Sequence, residues 1–222
     1  MYYFFYMFLL FIIYSFIGWI IDICDILYKY KKIVNRGFLI GPICPIYGVG
    51  VLLMYHLLKG YTDSPLTLFI LAISIFMTLE YLTSYIMEKI FNARWWDYTD
   101  RKFNLNGRIC LETTIPFGLG GLLVMYVINP FFMKILDKLS PNLVIILGII
   151  LLVIFVIDCI ISFSVIGKIK KIISSKYKDD TEEVNKKVRE YLIKLSPLTK
   201  RLMESFPGIR IHITKIKKRI AK

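Results

Sequence analysis

The sequence predicts an all-α integral membrane protein: a polytopic helical bundle of about five transmembrane helices, with the amino terminus outside and a basic amphipathic tail in the cytoplasm. Three observations carry this prediction. Hydrophobic residues make up 57% of the 222 residues and fall in long blocks. Basic residues cluster in alternate loops. Of the 29 basic residues, 17 lie beyond residue 167.

Five apolar blocks are long enough to span a bilayer, because crossing a hydrocarbon core of about 30 Å takes about 20 helical residues. The first block has no leading charge and is longer than the apolar core of a signal peptide, so we expect it to be retained as a span. The chain then divides into a transmembrane domain, 1–167, and a tail, 168–222. The predicted spans lie near 3–27, 40–58, 66–90, 110–128 and 142–166.

The loops set the predicted orientation, because Lys and Arg are retained on the cytoplasmic side. Four basic residues follow the first span and four follow the third, and the tail holds 17. The loop after the second span holds only Lys59 and Asp63. The loop after the fourth holds Lys134, Asp137 and Lys138. An odd number of spans therefore places the amino terminus outside and the tail inside.

Acidic side chains in or beside the spans are candidate site residues. A carboxyl in hydrocarbon costs about 2.5–3.5 kcal/mol, so such groups usually face the bundle interior or water. Helical spacing places Asp22 with Asp25 on one face, and Glu80 with Glu88 on another. The alternative is that these carboxylates pair with Arg and Lys of the loops and only fix helix packing. The predicted cytoplasm-facing cavity is lined by Asp22, Glu80, Glu88, Glu112 and Asp158.

Glycine and proline predict irregular backbone before the second span. NRGFLIGPICPIYGVG, residues 35–50, contains Gly41, Pro42 and Pro45, which permit unusual torsions or break the helical hydrogen-bond ladder. Such backbone is tolerated at membrane depth only where protein buries it or it lines a water-filled cavity. FGLGG, residues 117–121, predicts close helix packing instead.

FNARWWDYTDRKFNLNGRIC, residues 91–110, is a polar and aromatic loop between two apolar spans. Interfacial anchoring accounts for its tryptophans, but not for so many hydrogen-bonding groups. We infer that this loop, the loop before the second span and the carboxylates form one cytoplasm-facing polar site. Its loop members are Asn35, Arg36, Gly37, Gly41, Pro42, Pro45, Arg94, Trp95, Trp96, Asp97, Tyr98, Asn104 and Arg108.

The tail has a different composition. TEEVNKKVREYLIKL, residues 181–195, has an apolar face opposite a basic one, and Ser196 with Pro197 predicts the start of another short helix. Residues 209–222 again combine an isoleucine stripe with a basic face. The favoured partner is the anionic inner leaflet of the lipid bilayer, and the alternative is a partner protein. No nucleic-acid partner is predicted.

Several chemical motifs are absent from the sequence. No GxxxxGK[ST] stretch occurs, so an ATP-driven role requires a separate ATPase polypeptide. HExxH and GxSxG are also missing, and catalytic residues remain unassigned. The four cysteines lack CxxC spacing and the two histidines are far apart, so free thiols, no metal site and no cofactor are predicted.

The blocks NRGFLIGPICPIYGVG, LEYLTSYIMEKIF, ARWWDYTDRKFNLNGRICLE and FGLGG together resemble the signature of a bacterial family described as putative ABC-transporter type IV. The resemblance covers about residues 8–130. Asp22 and Thr99 depart from it, where Glu and Ser are expected. The resemblance implies a permease in a bacterial cytoplasmic membrane. Its motif residues here are Asn35, Arg36, Gly37, Gly41, Pro42, Pro45, Tyr47, Gly48, Glu80, Glu88, Trp95, Trp96, Asp97, Tyr98, Asn104, Gly107 and Arg108.

The leading hypothesis is a transporter permease or permease-like subunit without its own ATPase, acting as a homo-oligomer because five spans are few for a complete pathway. Arg36, Arg94 and Arg108 would neutralise the cavity carboxylates or bind an anionic substrate. One alternative is a membrane-embedded enzyme acting on lipid or lipid-linked phosphate at the inner leaflet. Another is a non-catalytic membrane scaffold.

Overall fold

The computed structural model describes residues 1–91, 93–176, 182–206 and 209–211, which are mostly helical. A π-helical turn, Val124–Ile128, joins the fourth and fifth helices. The short strands are β1 (Ala93–Arg94), β2 (Asn104–Leu105), β3 (Ile109–Cys110) and β4 (Arg210–Ile211). The helices are α1 (Tyr2–Tyr30), α2 (Pro45–Leu58), α3 (Pro65–Phe91), α4 (Leu111–Leu123), α5 (Asn129–Leu136), α6 (Pro141–Lys176), α7 (Glu182–Leu195) and α8 (Pro197–Ser205).

Within the described ranges, four helical stretches are long and apolar enough to cross a membrane. They correspond to the first, third, fourth and fifth predicted spans, so the chain is a multi-pass membrane protein. The predicted boundary of the fourth span, near residue 128, differs, because the π-helical turn carries that helix on into α5. The stretches are Tyr2–Tyr28, Pro65–Phe91, Leu111–Leu136 and Pro141–Lys171.

The second predicted span, near 40–58, forms the shorter helix α2. Its 14 residues extend about 21 Å, less than the hydrocarbon thickness. Pro45 lies in its first turn, where the missing N–H leaves no hydrogen bond unmade. The prediction of an irregular entry to this segment is confirmed.

Helices α1 and α2 run antiparallel. The Cys44 N–H donates to the Ser15 carbonyl at 2.8 Å, and the Tyr3 hydroxyl lies 2.9 Å from His56 Nε2 near the other end. α1 therefore continues about 22 Å beyond the point where α2 begins. The non-helical loop 31–44 occupies the space beside that half of α1.

The main hydrophobic core lies between the amino-terminal half of α1 and its neighbours. Leu10, Met54, Leu68, Ala72 and Val144 are fully buried in it, and they come from α1, α2, α3 and α6. Small residues bring these helices together. A side chain at Gly118 would meet α3, and one at Gly121 would meet α3 and α2, so the prediction of close packing by FGLGG is confirmed at these two positions.

The loop 31–44, the loop 91–110 and the end of α6 meet at one end of the bundle, which we call the basic end. The Lys170 ammonium donates to the Ile90 carbonyl at 2.7 Å, and β1 pairs antiparallel with β4. The opposite end holds the amino terminus, where the Tyr6 hydroxyl donates to Asp137 Oδ1 at 2.9 Å. The three segments predicted to share one side of the membrane thus share one end of the protein.

Helices α7 and α8, here called the tail hairpin, pack against the bundle. Val188 and Leu192 of α7, with Leu202 and Met203 of α8, form a second hydrophobic core with residues of α3, β1 and α6. The Ser196 hydroxyl accepts from the Thr199 N–H at 3.2 Å, which confirms the predicted helix start. The apolar faces of this hairpin therefore lie against the chain's own body.

The last long helix of the bundle runs past the predicted boundary between body and tail at residue 168. Helix α6 continues without interruption to Lys176. Ile166 and Ile169 face the tail hairpin, so burial rather than lipid contact sustains this part of the helix. Positions 177–181, 207–208 and 212–222 of the predicted tail, which include most of its last isoleucine stripe, lie outside the described residues.

Candidate functional site

Asp22 is the first member of a polar cluster between α1, α2 and α3. The Tyr47 hydroxyl, from the first turn of α2, donates to Asp22 Oδ1 at 2.7 Å. The Cys44 thiol approaches Asp22 Oδ2 at 3.5 Å. Gly18, one turn before Asp22, lies against the Tyr47 ring, where any Cβ would collide with it. The absence of a side chain at Gly18 therefore lets Tyr47 reach the carboxylate.

Glu80 is the second carboxyl of this cluster and comes from α3. The Tyr98 hydroxyl donates to its Oε1 at 3.2 Å. Tyr98 is positioned by its backbone, since its N–H donates to the Gly107 carbonyl at 2.8 Å. Burial, together with the nearby Glu80 carboxyl, raises the pKa of Tyr98, so its hydroxyl stays protonated and remains a donor.

The Asp22 carboxyl acts electrostatically on Glu80, and Arg36 attracts Asp22. We call Asp22, Cys44, Tyr47, Glu80 and Tyr98 the carboxyl cluster. Among the described residues, none of the ion pairs includes Asp22 or Glu80. Arg36, the cation that attracts Asp22, is itself paired with Asp25 at 3.4 Å. The cluster therefore favours a proton, a cation or a hydrogen-bond donor between its carboxyls.

Glu88 has different surroundings. Its Oε2 lies 2.8 Å from Arg108 Nη2 and 3.1 Å from Arg94 Nε. Arg108 is 8% exposed, and it also donates to the Ser84 hydroxyl at 3.1 Å. Its guanidinium lies over the ring of Tyr85. We call Glu88, Arg94 and Arg108 the arginine layer. It connects α3 to both ends of the loop 91–110.

The loop 91–110 is a folded hairpin. β2 and β3 pair with Asn104 opposite Cys110, and Gly107 adopts a φ of 66° in the turn region between them. The Asn104 amide donates to the Arg101 carbonyl at 2.8 Å, while its oxygen accepts from the Gly107 N–H at 2.9 Å. The predicted hydrogen-bonding groups Asn104 and Trp96, whose indole donates to the Arg108 carbonyl at 3.0 Å, therefore build the hairpin itself.

Asp97 and Trp95 also lie inside the protein. Asp97 Oδ1 accepts from the Thr99 N–H at 3.1 Å and lies 3.6 Å from Arg94 Nη1. Trp95 is 3% exposed and contacts the rings of Phe38 and Phe206. The interpretation of Trp95 as an interfacial anchor is therefore wrong, because neighbouring aromatic rings cover its indole.

Asp158 lies apart from the carboxyl cluster and holds the loop 31–44. Its two carboxylate oxygens accept from the successive N–H groups of Ile40 and Gly41, each at 2.9 Å. The Ser162 hydroxyl donates to the same carboxylate at 3.0 Å. A Cβ at Gly41 would lie 2.7 Å from Asp158 Oδ2, so glycine allows this close approach. Asp158 thereby satisfies backbone groups that no helix satisfies.

Asn35 fixes the same loop to α1. Its Oδ1 accepts from the Trp19 indole at 2.7 Å, and its amide donates to the Ile40 carbonyl at 2.9 Å. Gly37 is buried beside Cys44, and Pro42 is exposed. The polar residues of NRGFLIGP thus shape a loop that turns back towards Asp22.

Glu112 lies on the surface. Its carboxylate accepts from Arg101 Nη1 at 3.0 Å and 3.1 Å, and the two side chains are 65% and 55% exposed. The five predicted cavity carboxyls therefore occupy four separate environments. Only Asp22 and Glu80 are brought together.

Sequence reasoning missed several contributors to the basic end. Arg201 and Ser205 of α8 bind the carbonyls of loop 31–44, and Cys44 contacts Asp22. No local sequence pattern predicts these contacts, because those of α8 join residues more than 160 positions apart in the chain. No group of three or more metal-binding side chains occurs in the part of the chain that the structure describes.

A family model described as putative ABC-transporter type IV matches residues 9–163. The chain belongs to this family. The match includes the carboxyl cluster, the arginine layer and Asp158, whereas the tail hairpin lies beyond it. No curated protein and no solved structure matches the chain.

Proposed function

We propose that the protein is the membrane permease subunit of an ABC-type transporter and that a separate ATPase drives it. The observation that carries the proposal is the carboxyl cluster, in which Asp22 and Glu80 are held by neutral hydroxyl and thiol donors within a multi-pass bundle. Intramembrane carboxyls without a paired cation are typical of substrate and ion pathways. Membership of the putative ABC-transporter type IV family supports the same role.

The charge of the cluster favours a particular kind of substrate group. Arg94 and Arg108, which the sequence offers as ligands for an anion, are engaged by Glu88. Asp22 is then attracted by Arg36, and Glu80 is influenced by the Asp22 charge. The pathway therefore suits a group that carries positive charge or donates hydrogen bonds, and the basic end is its entrance or exit.

The proposed topology has five crossings, with the amino terminus outside and the basic end in the cytoplasm of a bacterial cell. Helix α2 and the loop 40–44 would make the second crossing together, because side chains satisfy the loop's backbone at membrane depth. Lys and Arg concentrate at the basic end, which supports the cytoplasmic assignment.

The proposed ATPase contact is the exposed edge of the 91–110 hairpin. Arg101, Lys102 and Phe103 are exposed there, and Phe103 is 81% exposed. An aromatic residue beside two cations suits a protein interface. We further propose that anionic lipid of the inner leaflet contacts the basic end and that the subunit forms a homo-oligomer, since one bundle of this size is small for a pathway.

The test is purification of the tagged protein from its native membrane in mild detergent, with identification of stoichiometric companions by mass spectrometry. The proposal predicts an ATPase subunit that is lost when Lys102 and Phe103 are both changed to Ala. Leu66→Ala is the control, since Leu66 is 70% exposed but lies at the opposite end. Recovery of the protein without any ATPase, under conditions that retain other membrane complexes, would contradict the proposal.

A further inference from the structure

The tail hairpin binds the loop 31–44 through backbone carbonyls. Arg201 Nη1 donates to the Leu39 carbonyl at 2.7 Å, and Nη2 lies 3.5 Å from the Phe38 carbonyl. The Ser205 hydroxyl donates to the Asn35 carbonyl at 2.6 Å. Arg201 and Ser205 therefore tie carbonyls of one short loop to α8, which lies outside the residues matched by the family model.

The backbone N–H groups of the same loop are bound by α6. Asp158 accepts from the N–H groups of Ile40 and Gly41, as described above. Arg201 and Asp158 also attract each other electrostatically. The loop is thus fixed between a cation that takes its carbonyls and a carboxylate that takes its amides. Removing Arg201 leaves the Leu39 carbonyl without this donor, and removing Asp158 leaves the Gly41 N–H without this acceptor.

The position of this loop determines access to the carboxyl cluster. Its last residue, Cys44, is 7% exposed and directs its thiol toward both Asp22 and the Arg36 carbonyl. The Ile43 N–H donates to the Gly41 carbonyl at 2.8 Å, so the part that α6 and α8 hold is continuous with the part that covers Asp22. The Cys44 backbone is also bonded to the Ser15 carbonyl of α1, so displacing residues 38–41 would chiefly release the Cys44 thiol from the Arg36 carbonyl and uncover Asp22 from the basic end.

We propose that the tail hairpin is a built-in gate for the carboxyl cluster: with Arg201 and Ser205 docked, the loop 31–44 is closed over Asp22, and their release opens it. This regulation rests on the proposed function, in which Asp22 and Glu80 line the substrate path. The hairpin is joined to the loop by these few side-chain bonds to carbonyls and by the packing of Phe38 against the second hydrophobic core, contacts that can form and break without unfolding a helix.

Cys44 provides a native probe of the gate. The purified full-length protein is treated with a small maleimide in detergent micelles at fixed pH, and labelling of each cysteine is followed by peptide mass spectrometry. Cys24, which is exposed, serves as the internal reference. The variants are Arg201→Ala and Ser205→Ala. Lys200→Ala is the matched control, because it removes an exposed positive charge from the same helix.

The expected result is faster labelling of Cys44 relative to Cys24. Arg201→Ala should raise the rate about tenfold, the effect of removing a charged hydrogen-bond donor from the closed state. Ser205→Ala should raise it severalfold, and Lys200→Ala should leave it at the wild-type value. Wild-type rates in both Arg201→Ala and Ser205→Ala would overturn the gate. If Arg201→Ala fails to give a monodisperse folded protein, Ser205→Ala decides the outcome.

This experiment needs no substrate, so it separates the gate from the proposed function. Faster Cys44 labelling, combined with full activity of a Glu80→Gln variant in cells, would retain the gate and reject the substrate path through Glu80. Unchanged labelling, combined with loss of activity in Glu80→Gln, would reject the gate and retain the path.

Discussion

Glu80 and Glu88 lie eight residues apart on the same face of α3, yet their surroundings differ in charge. Glu88 is bound by two guanidinium groups, from Arg94 and Arg108, at the base of the 91–110 hairpin. Glu80 accepts from a tyrosine hydroxyl and is influenced by the charge of a second carboxyl, Asp22. A carboxylate with its countercharges in place stabilises a fold, whereas one held by neutral donors is available for a ligand or a proton.

The same contrast holds between α1 and α6. Asp158 is saturated by two backbone N–H groups and a serine hydroxyl, so it is committed to the loop that it holds. Asp22 accepts from Tyr47 and from a thiol, a weak donor. These contrasts support the proposal that Glu88 and Asp158 stabilise the fold while Asp22 and Glu80 line the substrate path.

The largest expected effect on stability comes from Glu88→Gln. The neutral amide would leave Arg108 buried without its carboxylate, and loss of one member of a buried charge pair costs about 3–5 kcal/mol. The free energy of unfolding, measured by denaturant titration in detergent micelles, should fall by that amount. A loss below about 1 kcal/mol would mean that the arginine layer does not hold the hairpin.

Asp158→Asn should have the next largest effect. Asparagine offers one oxygen, and its amide nitrogen would face a backbone N–H of Ile40 or Gly41, so about 1–3 kcal/mol of stability should be lost. Hydrogen–deuterium exchange should rise in residues 35–44. Exchange in the 97–110 hairpin should stay at the wild-type level, and equal increases in both segments would contradict a local role for Asp158.

Glu80→Gln should change stability by less than about 1 kcal/mol. The glutamine oxygen still accepts from Tyr98, and one of two repelling carboxyls is removed. The same denaturant titration measures it, with Glu88→Gln as the matched substitution two turns away. A loss as large as that of Glu88→Gln would show that Glu80 is also part of the structural scaffold.

The smallest effect is expected from Glu112→Gln. This carboxylate and its partner Arg101 are both more than half exposed, and such pairs contribute about 0.2–1 kcal/mol. Unfolding free energy should change by at most about 0.5 kcal/mol. A larger loss would indicate that the surface pair is buried against an oligomeric partner.

The long apolar blocks made most of the fold predictable. α1, α3 and the start of α6 agree with the predicted spans within a few residues, because hydrophobic length alone defines them. The start of α2 at Pro45 was harder to predict from the sequence. It depends on Asp158, which stabilises the non-helical backbone before α2 by accepting from the N–H of Ile40, 118 residues away in sequence. Contacts of that separation leave no periodic signal.

The candidate site was predicted only in part, because its long-range contacts also leave no periodic signal. Helical spacing correctly placed Glu80 and Glu88 on one face, but it could not assign Arg108 to one and Tyr98 to the other. Those partners are delivered by the fold of the 91–110 hairpin. The amphipathic pattern of α7 likewise indicated a face to be buried without indicating that the chain itself buries it.

The central claim is that Asp22 and Glu80 carry the function of this protein. The most direct test is complementation of a strain lacking the gene by Glu80→Gln, with Glu112→Gln as control and all proteins at equal membrane levels. Glu80→Gln should be inactive although its unfolding free energy matches that of the wild type. Full complementation by Glu80→Gln would contradict the assignment and leave the carboxyl cluster with a structural role.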